Sequence, residues 1–160
     1  MTKVAINGFG RIGRAFLKIA WERPELEIVA VNDLGSIDSL AYLLRHDTVY
    51  RNWGHDVKVD GANLVIDGKV VKFVSEKDTT KLPWGELGID VVVEETDHFT
   101  AYDKAKFHID CGAKKVVISA PAKGSDGSVP GETILLGVNE EKFGTVDITS
   151  NASCTTNAAS

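Results

Sequence analysis

Three glycines near the amino terminus, spaced as Gly8-x-Gly10-x-x-Gly13, constrain the fold more than any other feature of the chain. They follow a short apolar segment, Lys3 to Ile6, and they precede apolar residues that recur with helical spacing. In such a unit the first glycine permits a tight turn, the second lets a ligand approach bare backbone, and the third lets the helix pack close to the strand. We therefore predict a strand, a glycine loop and a helix.

Helical patterns recur along the chain. The helix predicted over residues 11–21 has an inward apolar face formed by Ile12, Ala15, Phe16, Ile19 and Ala20. Ser36 is expected to cap a second helix whose inward residues are Leu40, Leu43 and Leu44. A third helix is predicted from Thr100, as its cap, to Cys111.

Strand patterns alternate with these helices. The segments "EIVAVND", "DVVVEE", "KKVVIS", "ETILLGV" and "VDITSN" are predicted strands, and most are nearly continuous apolar runs. Asp67-Gly68 inside "NLVIDGKVVKF" is a strong hairpin signal. Alternation of buried strands with helices is typical of a parallel sheet covered on both faces. The predicted class is therefore α/β, a Rossmann-type doubly wound and mostly parallel sheet with an inserted β-hairpin.

The glycine loop predicts a dinucleotide site. Free backbone N–H groups of Arg11 and Ile12, at the start of the helix, would hold the pyrophosphate. Asp33 ends the second strand, and its carboxylate can accept hydrogen bonds from both ribose hydroxyls. A 2′-phosphate beside Asp33 would meet like charge, at a cost of about 4 kcal/mol per unit charge at about 4 Å and an effective dielectric near 20. The favoured cofactor is therefore NAD rather than NADP.

Composition excludes several classes of partner. The chain has 160 residues and a net charge of −5, and its Lys and Arg are scattered, so neither nucleic acid nor an anionic membrane is the expected partner. There is no secretory signal pattern and no apolar run of membrane-spanning length. Two unpatterned cysteines, Cys111 and Cys154, do not form a disulfide framework. A cytoplasmic location is expected.

Cys154 lies in a polar segment, "SNASCTTN" (residues 150–157), of the kind that introduces a helix. A cysteine at a helix start has its thiolate stabilised by the helix dipole. Ser153 and Thr155 supply hydroxyls suited to anions. Because so few residues follow, we expect no helix after Cys154. We find no metal signal: His108 and Cys111 form one short cluster, which does not make a four-ligand shell.

The segments "NGFGRIGR" and "SNASCTTN", about 140 residues apart, resemble the two signatures of the glyceraldehyde-3-phosphate dehydrogenase family. "VNDL", "SEKD", "LPWG" and "VVISAPAK" fall between them in the family's order. The resemblance implies NAD contacts from residues 7–13 (Asn7, Gly8, Gly10, Arg11, Ile12 and Gly13), Asp33, Lys77, Thr96 and Ser119. It makes Cys154 the catalytic nucleophile, and Ser153 and Thr155 the binding residues for substrate or phosphate.

The resemblance also implies oxidation of glyceraldehyde 3-phosphate through a cysteine thioester, transfer to inorganic phosphate, and a homotetramer. Residues 1–152 would be the NAD-binding domain, and residues 153–160 would begin a truncated catalytic domain. The family's histidine base belongs to that second domain, and none of the four histidines of this chain matches it. The 160-residue chain alone is therefore expected to bind NAD weakly at best and to be inactive. The family has glycine where this chain has Asp97, a position where a positive φ would be tolerated.

Two alternatives remain open at this stage. Erythrose-4-phosphate dehydrogenase shares both signatures, and the residues that choose between the two substrates would lie largely outside this chain. A nucleotide-binding module with no catalysis of its own is the second alternative. Titration of Cys154 with a thiol reagent separates it from the enzyme, because a thiol that is inert in this chain and becomes reactive when the second domain is restored supports the enzyme.

Overall fold

The structure is a computed structural model that describes residues 1–123 and 126–160. In these residues the strands are β1 (Thr2–Asn7), β2 (Leu26–Asn32), β3 (His46–Asp47), β4 (Arg51–Asn52), β5 (Val57–Asp60), β6 (Asn63–Ile66), β7 (Lys69–Val74), β8 (Val91–Glu94), β9 (Lys115–Ile118), β10 (Glu132–Thr133) and β11 (Ile148–Ser150). The α-helices are α1 (Arg11–Trp21), α2 (Ile37–Arg45), α3 (Trp84–Leu87), α4 (Tyr102–Ala105), α5 (Phe107–Asp110) and α6 (Cys154–Ala159). Across both described ranges, no helix has the length and apolar character needed to cross a membrane.

The main sheet has the strand order β10-β11-β9-β8-β1-β2-β7-β6-β5. Pairing is parallel from β10 to β7 and antiparallel in the meander from β7 through β6 to β5. The prediction of a mostly parallel α/β sheet with a hairpin is confirmed. The hairpin turn uses Asp67 (φ 49°) and Gly68 (φ 79°), since a two-residue turn between twisted strands needs left-handed backbone at both positions. Strand β5 was not predicted.

The central strands bury side chains on both faces because their residues alternate in direction. On one face, Val4 and Ile6 pack with Leu17 of α1 and Leu44 of α2. On the other face, Ala5, Ala30 and Val92 pack under Trp84 and Ile89. This two-sided burial explains why the strands are continuous apolar runs in the sequence.

The inward face of α1 was predicted incorrectly in part. Leu17 and Ala20 are buried, but Ile12 is 56% exposed and Ile19 is 66% exposed. The helix is rotated so that Gly13 and Leu17 meet the sheet, because only a glycine can lie against the loop at position 13. In α2, Leu40 and Leu44 are buried as predicted, whereas Leu43 is 41% exposed.

Two further predictions were wrong. The helix expected from Thr100 to Cys111 is divided into α4 and α5, and Ala101 rather than Thr100 is the first cap. The Thr100 carbonyl accepts the N–H of Lys123 at 3.3 Å, which binds it to a neighbouring loop. The strand expected over residues 132–138 is limited to β10, and Leu136 beyond it is 78% exposed.

Candidate functional site

The carboxyl ends of four parallel strands meet at one edge of the sheet. Asn7 of β1 pairs in register with Asn32 of β2 on one side and with Glu94 of β8 on the other, and Glu94 pairs with Ile118 of β9. The chain leaves β1 toward β2 on one side and later enters β8 on the other. Ligands of such sheets bind in the crevice where the strand order reverses. The candidate site therefore lies beyond Asn7.

The glycine loop lies in this crevice. Gly8 has φ +98°, and a Cβ there would lie 2.8 Å from the carbonyl carbon of Glu95. A Cβ at Gly13 would lie 2.2 Å from the Gly8 carbonyl oxygen, so the start of α1 touches the loop. By contrast, a Cβ at Gly10 would have no neighbour within 4 Å. The second glycine thus faces open space that a ligand could fill.

The amino end of α1 is uncapped by any side chain. Gly10 occupies the cap position, and its carbonyl accepts the N–H of Arg14 at 3.1 Å. The N–H groups of the first turn, from Arg11 onward, have no acceptor inside the helix. Together with the helix dipole they favour an anion in front of Gly10.

Asp33 accepts hydrogen bonds from two backbone N–H groups. Its Oδ2 accepts the N–H of Phe9 at 2.6 Å, and its Oδ1 accepts the N–H of Gly35 at 2.7 Å. Each carboxylate oxygen keeps a second lone pair. Asp33 can therefore accept hydrogen bonds from a ligand while it fastens the loop.

The first cleft contains the glycine loop and has a volume of about 630 Å³. Most of the predicted cofactor residues line it together with Phe99 and His98, while Arg11, Ile12, Gly13 and Ser119 do not. Its lining residues are Asn7, Gly8, Gly10, Asn32, Asp33, Leu34, Glu76, Lys77, Thr79, Glu95, Thr96, His98 and Phe99.

Cys154 is exposed at the first position of α6, the helix that the sequence reasoning did not expect. Six residues suffice for this short helix because Ser153 caps it by accepting the N–H of Thr156 at 3.0 Å. The Ser153 hydroxyl also lies 2.9 Å from the Thr155 hydroxyl. Ala152 before the cap has φ 59°, a left-handed backbone that turns the chain from β11 into α6.

A second cleft of about 960 Å³ lies on the other side of the loop that follows β8. Cys154, Ser153 and Ser119 line it, as do Ile12 and Phe16 of α1. The structure thus places most of the predicted residues in two clefts, whereas Arg11, Gly13 and Thr155 line neither. Ser119 and Ile12 belong with the cysteine rather than with the glycine loop.

Glu95 lines both clefts and was missed by the sequence reasoning. Its Oε2 accepts the hydroxyl of Ser119 at 2.5 Å. Burial raises the pKa of this carboxyl to about 7, and the nearby charges of Glu94 and Asp97 act in the same direction. The sequence signal that could have revealed Glu95 is that it is the second acidic residue, after Glu94, at the end of the apolar run of β8. Asp97, two residues on, does adopt a positive φ of 61°.

Asn7 lines the first cleft, and its side-chain amide is hydrogen-bonded to two other residues of the protein. It donates to Glu94 at 2.6 Å and accepts from Asn32 at 2.7 Å, all within buried surroundings. Glu94 and Asn32 were not among the predicted site residues. Each is a polar residue at the carboxyl end of an apolar strand, which is the pattern that could have revealed them.

Metal ligation is not indicated in the part of the chain that the structure describes, where no cluster of three or more His, Cys, Asp or Glu side chains could hold an ion. His108 is fully buried. Cys111 donates its S–H to the carbonyl of Thr79 at 3.1 Å, and burial raises the pKa of its thiol. Cys111 packs against the buried cluster that contains Trp84 and Ile89.

Comparison with known proteins gives a consistent result. Residues 2–102 match the family model of the glyceraldehyde 3-phosphate dehydrogenase NAD-binding domain. The chain is 50% identical over 157 residues to glyceraldehyde-3-phosphate dehydrogenase 1 of Bacillus subtilis, which covers 97% of the chain and 45% of that relative. Identity is 48% over 157 residues to the enzyme of Geobacillus stearothermophilus, with 97% and 45% covered. Identity to the glyceraldehyde-3-phosphate dehydrogenase of Clostridium pasteurianum is 52% over 158 residues, which is 98% of the chain and 46% of that relative. The chain spans about half the length of the curated relatives it matches.

Proposed function

Because the chain belongs to the glyceraldehyde-3-phosphate dehydrogenase family and contains its NAD-binding domain, we propose that its two clefts serve the oxidation of glyceraldehyde 3-phosphate in the complete enzyme. The first cleft would bind NAD, and the second would present Cys154 to the aldehyde. The observation that carries the proposal is that Glu95 lines both clefts, so the glycine loop and the cysteine open on two sides of one short segment.

The residues of the first cleft suit NAD. The pyrophosphate would lie in front of Gly10, where no side chain intrudes and the amino end of α1 favours negative charge. Asp33 would accept the adenosine ribose hydroxyls with its free lone pairs, and Lys77 and Thr96 would contact the rest of the cofactor. When bound, NAD supplies the hydride acceptor of the reaction.

Cys154 would carry the substrate. Its thiolate attacks the aldehyde carbon, an S–C bond forms, and the carbonyl electron pair moves to oxygen. When the carbon loses its hydride, the C=O bond reforms and a thioester remains on Cys154. A phosphate oxygen then attacks the thioester, the S–C bond breaks, and the acyl phosphate leaves with the thiolate restored. Ser153 and Thr155, whose hydroxyls lie together at the start of α6, would bind the substrate or phosphate oxyanions.

The remaining features of the proposal concern the complete enzyme. Within the described residues, no histidine lines the second cleft, so the general base would come from elsewhere in the enzyme. Residues 1–152 would form the NAD-binding domain, and the segment from Ser153 onward would belong to the catalytic part. A homotetramer in the cytoplasm is proposed from the family resemblance.

Isothermal titration of the 160-residue chain with NAD tests the proposal. We expect saturable binding with a stoichiometry of one, and competition by ADP-ribose, which carries the pyrophosphate and adenosine ribose. The proposed site would be contradicted by a folded chain that shows no heat of binding with NAD at millimolar concentration, or that binds NAD without competition by ADP-ribose.

A further inference from the structure

A chain of buried hydrogen bonds runs behind the first cleft. The Trp84 indole donates to Nδ1 of His108 at 2.9 Å, and Nε2 of His108 lies 2.9 Å from Glu94 Oε2. Glu94 also accepts from Asn7 at 2.6 Å, from the Thr96 backbone at 2.8 Å, and from the Thr96 hydroxyl. Trp84 and His108 are 0% exposed and Glu94 is 2% exposed.

The direction of these hydrogen bonds is fixed. The indole N–H can only donate, so His108 Nδ1 is an acceptor and the ring proton lies on Nε2, facing Glu94. Burial lowers the pKa of His108, which keeps the ring neutral. The partners of the Glu94 carboxyl group are thus all donors: Asn7 and His108 at Oε2, and the Thr96 backbone and hydroxyl at Oε1.

The same polarity continues into the wall of the cleft. Asn7 accepts from Asn32 Nδ2 at 2.7 Å, and Asn32 Oδ1 accepts the backbone N–H of Glu76 at 2.9 Å. Asn32 Nδ2 also donates to the Glu76 carbonyl at 3.1 Å. The oxygen and nitrogen of neither amide can be exchanged. The backbone N–H and carbonyl of Glu76 fix the orientation of the Asn32 amide, and the Asn32 N–H₂ group fixes the orientation of the Asn7 amide. Asn7, Asn32, Glu76 and Thr96 all line the cleft, whereas Glu94 does not.

We propose that Glu94, held by His108 and Trp84, is a positioning residue for NAD: it sets the orientation of Asn7 and Thr96 on the cleft wall without contacting the cofactor. This inference rests on the proposed function, because it assigns NAD to the first cleft. The geometry supports it, since Glu94 joins the ends of β1 and β8 at the point where the crevice forms.

Glu94→Gln is the sharpest test because it keeps the volume and replaces one acceptor with a donor. The new N–H₂ group would face either Asn7 and His108 or Thr96. The Thr96 hydroxyl can turn to accept, but the Thr96 backbone N–H, the Asn7 amide N–H₂ and the His108 ring N–H can only donate. A buried donor that faces another donor is unfavourable, and the cleft wall must rearrange to relieve it. Because that rearrangement moves Asn7 or Thr96, we expect NAD binding to weaken about tenfold. The measurement is the Kd for NAD by calorimetry, beside the urea unfolding midpoint.

A matched pair at His108 shows whether the effect travels through Glu94. His108→Gln can still accept from Trp84 and donate to Glu94, so NAD affinity should stay within about twofold. His108→Leu removes both hydrogen bonds and should weaken NAD binding, although residue 108 does not line the cleft. Ile66→Ala, a buried position in β6 outside both clefts, is the control for lost stability alone.

The outcomes are distinct. The positioning role is supported if Glu94→Gln and His108→Leu bind NAD more weakly while the Kd for NAD of His108→Gln and Ile66→Ala is unchanged. If Glu94→Gln and His108→Leu lose stability but keep the wild-type Kd for NAD, the role of Glu94 is structural only. That result would overturn the inference, while the proposed function would stand. A wild-type chain that does not bind NAD overturns the proposed function, and this inference with it. If Glu94→Gln does not fold, the His108 pair decides.

Discussion

The carboxylate of Asp33 accepts the backbone N–H of Phe9 at 2.6 Å, and this bond ties the end of β2 to the middle of the glycine loop. The acidic residue expected to bind ribose therefore also shapes the loop expected to bind pyrophosphate. The two halves of the proposed dinucleotide site are therefore linked through one side chain.

Asp33→Asn is expected to weaken NAD binding and to reduce the preference for NAD over NADP. The amide keeps one acceptor oxygen, so either Phe9 or Gly35 loses its partner, and the charge that would repel a 2′-phosphate is removed. Both dissociation constants should be measured by calorimetry. Asp38→Asn, an exposed carboxylate in the first turn of α2, is the control for the charge change. An unchanged ratio of the two constants in Asp33→Asn would refute this role.

Gly10→Ala and Gly13→Ala should separate binding from folding. At Gly13 the added Cβ would lie 2.2 Å from a backbone oxygen, so we expect a loss of about 3 kcal/mol in the free energy of unfolding. At Gly10 the methyl group meets no protein atom within 4 Å, so stability should change by less than about 0.5 kcal/mol while NAD binding falls. Urea denaturation and NAD titration on both variants provide the comparison. Undiminished NAD binding by Gly10→Ala would argue against a pyrophosphate at that position.

Glu95 should make stability depend on pH. Its pKa is raised from 4.5 to about 7, mainly by burial, so the folded state holds the proton more tightly than the unfolded chain does. The resulting stability is fully present below about pH 4.5 and is lost as the pH rises through about 7. The free energy of unfolding should therefore fall between these values in the wild type and fall less in Glu95→Gln. Urea titrations from about pH 5 to about pH 8 measure the difference between the two curves. Parallel curves would show that Glu95 ionises normally.

Cys154 should be chemically accessible and Cys111 should not. Cys154 is exposed, whereas Cys111 is half-buried and donates to the Thr79 carbonyl. Iodoacetamide followed by peptide mass spectrometry should label Cys154 first.

The 160-residue chain with aldehyde, phosphate and NAD is expected to form no NADH, because no histidine of the described residues lines the cleft of Cys154. Steady NADH formation that Cys154→Ser abolishes would disprove the need for a base outside the chain.

The parts of the fold that depend on local pattern could be predicted. Apolar runs gave β1, β2, β8 and β9, and Asp67-Gly68 gave the hairpin, because strand burial and left-handed turns have direct residue signatures. The helical spacing located α1 and α2 but not their rotation. Rotation depends on which residue can lie closest to its neighbours, and at Gly13 that neighbour is the loop itself.

Within the candidate site, the sequence by itself determined the residue types: a glycine loop after a strand, one acid at the end of the next strand, and one cysteine in a polar setting. Only the tertiary structure decided how they are combined. It placed most of the predicted residues in two clefts and placed Glu95 in the lining of both. It also formed the line of hydrogen bonds from Trp84 to Asn7 out of residues far apart in the chain. The physical reason is that hydrogen-bond direction and burial arise from distant segments brought together by the sheet, and neither has a local signature in the sequence.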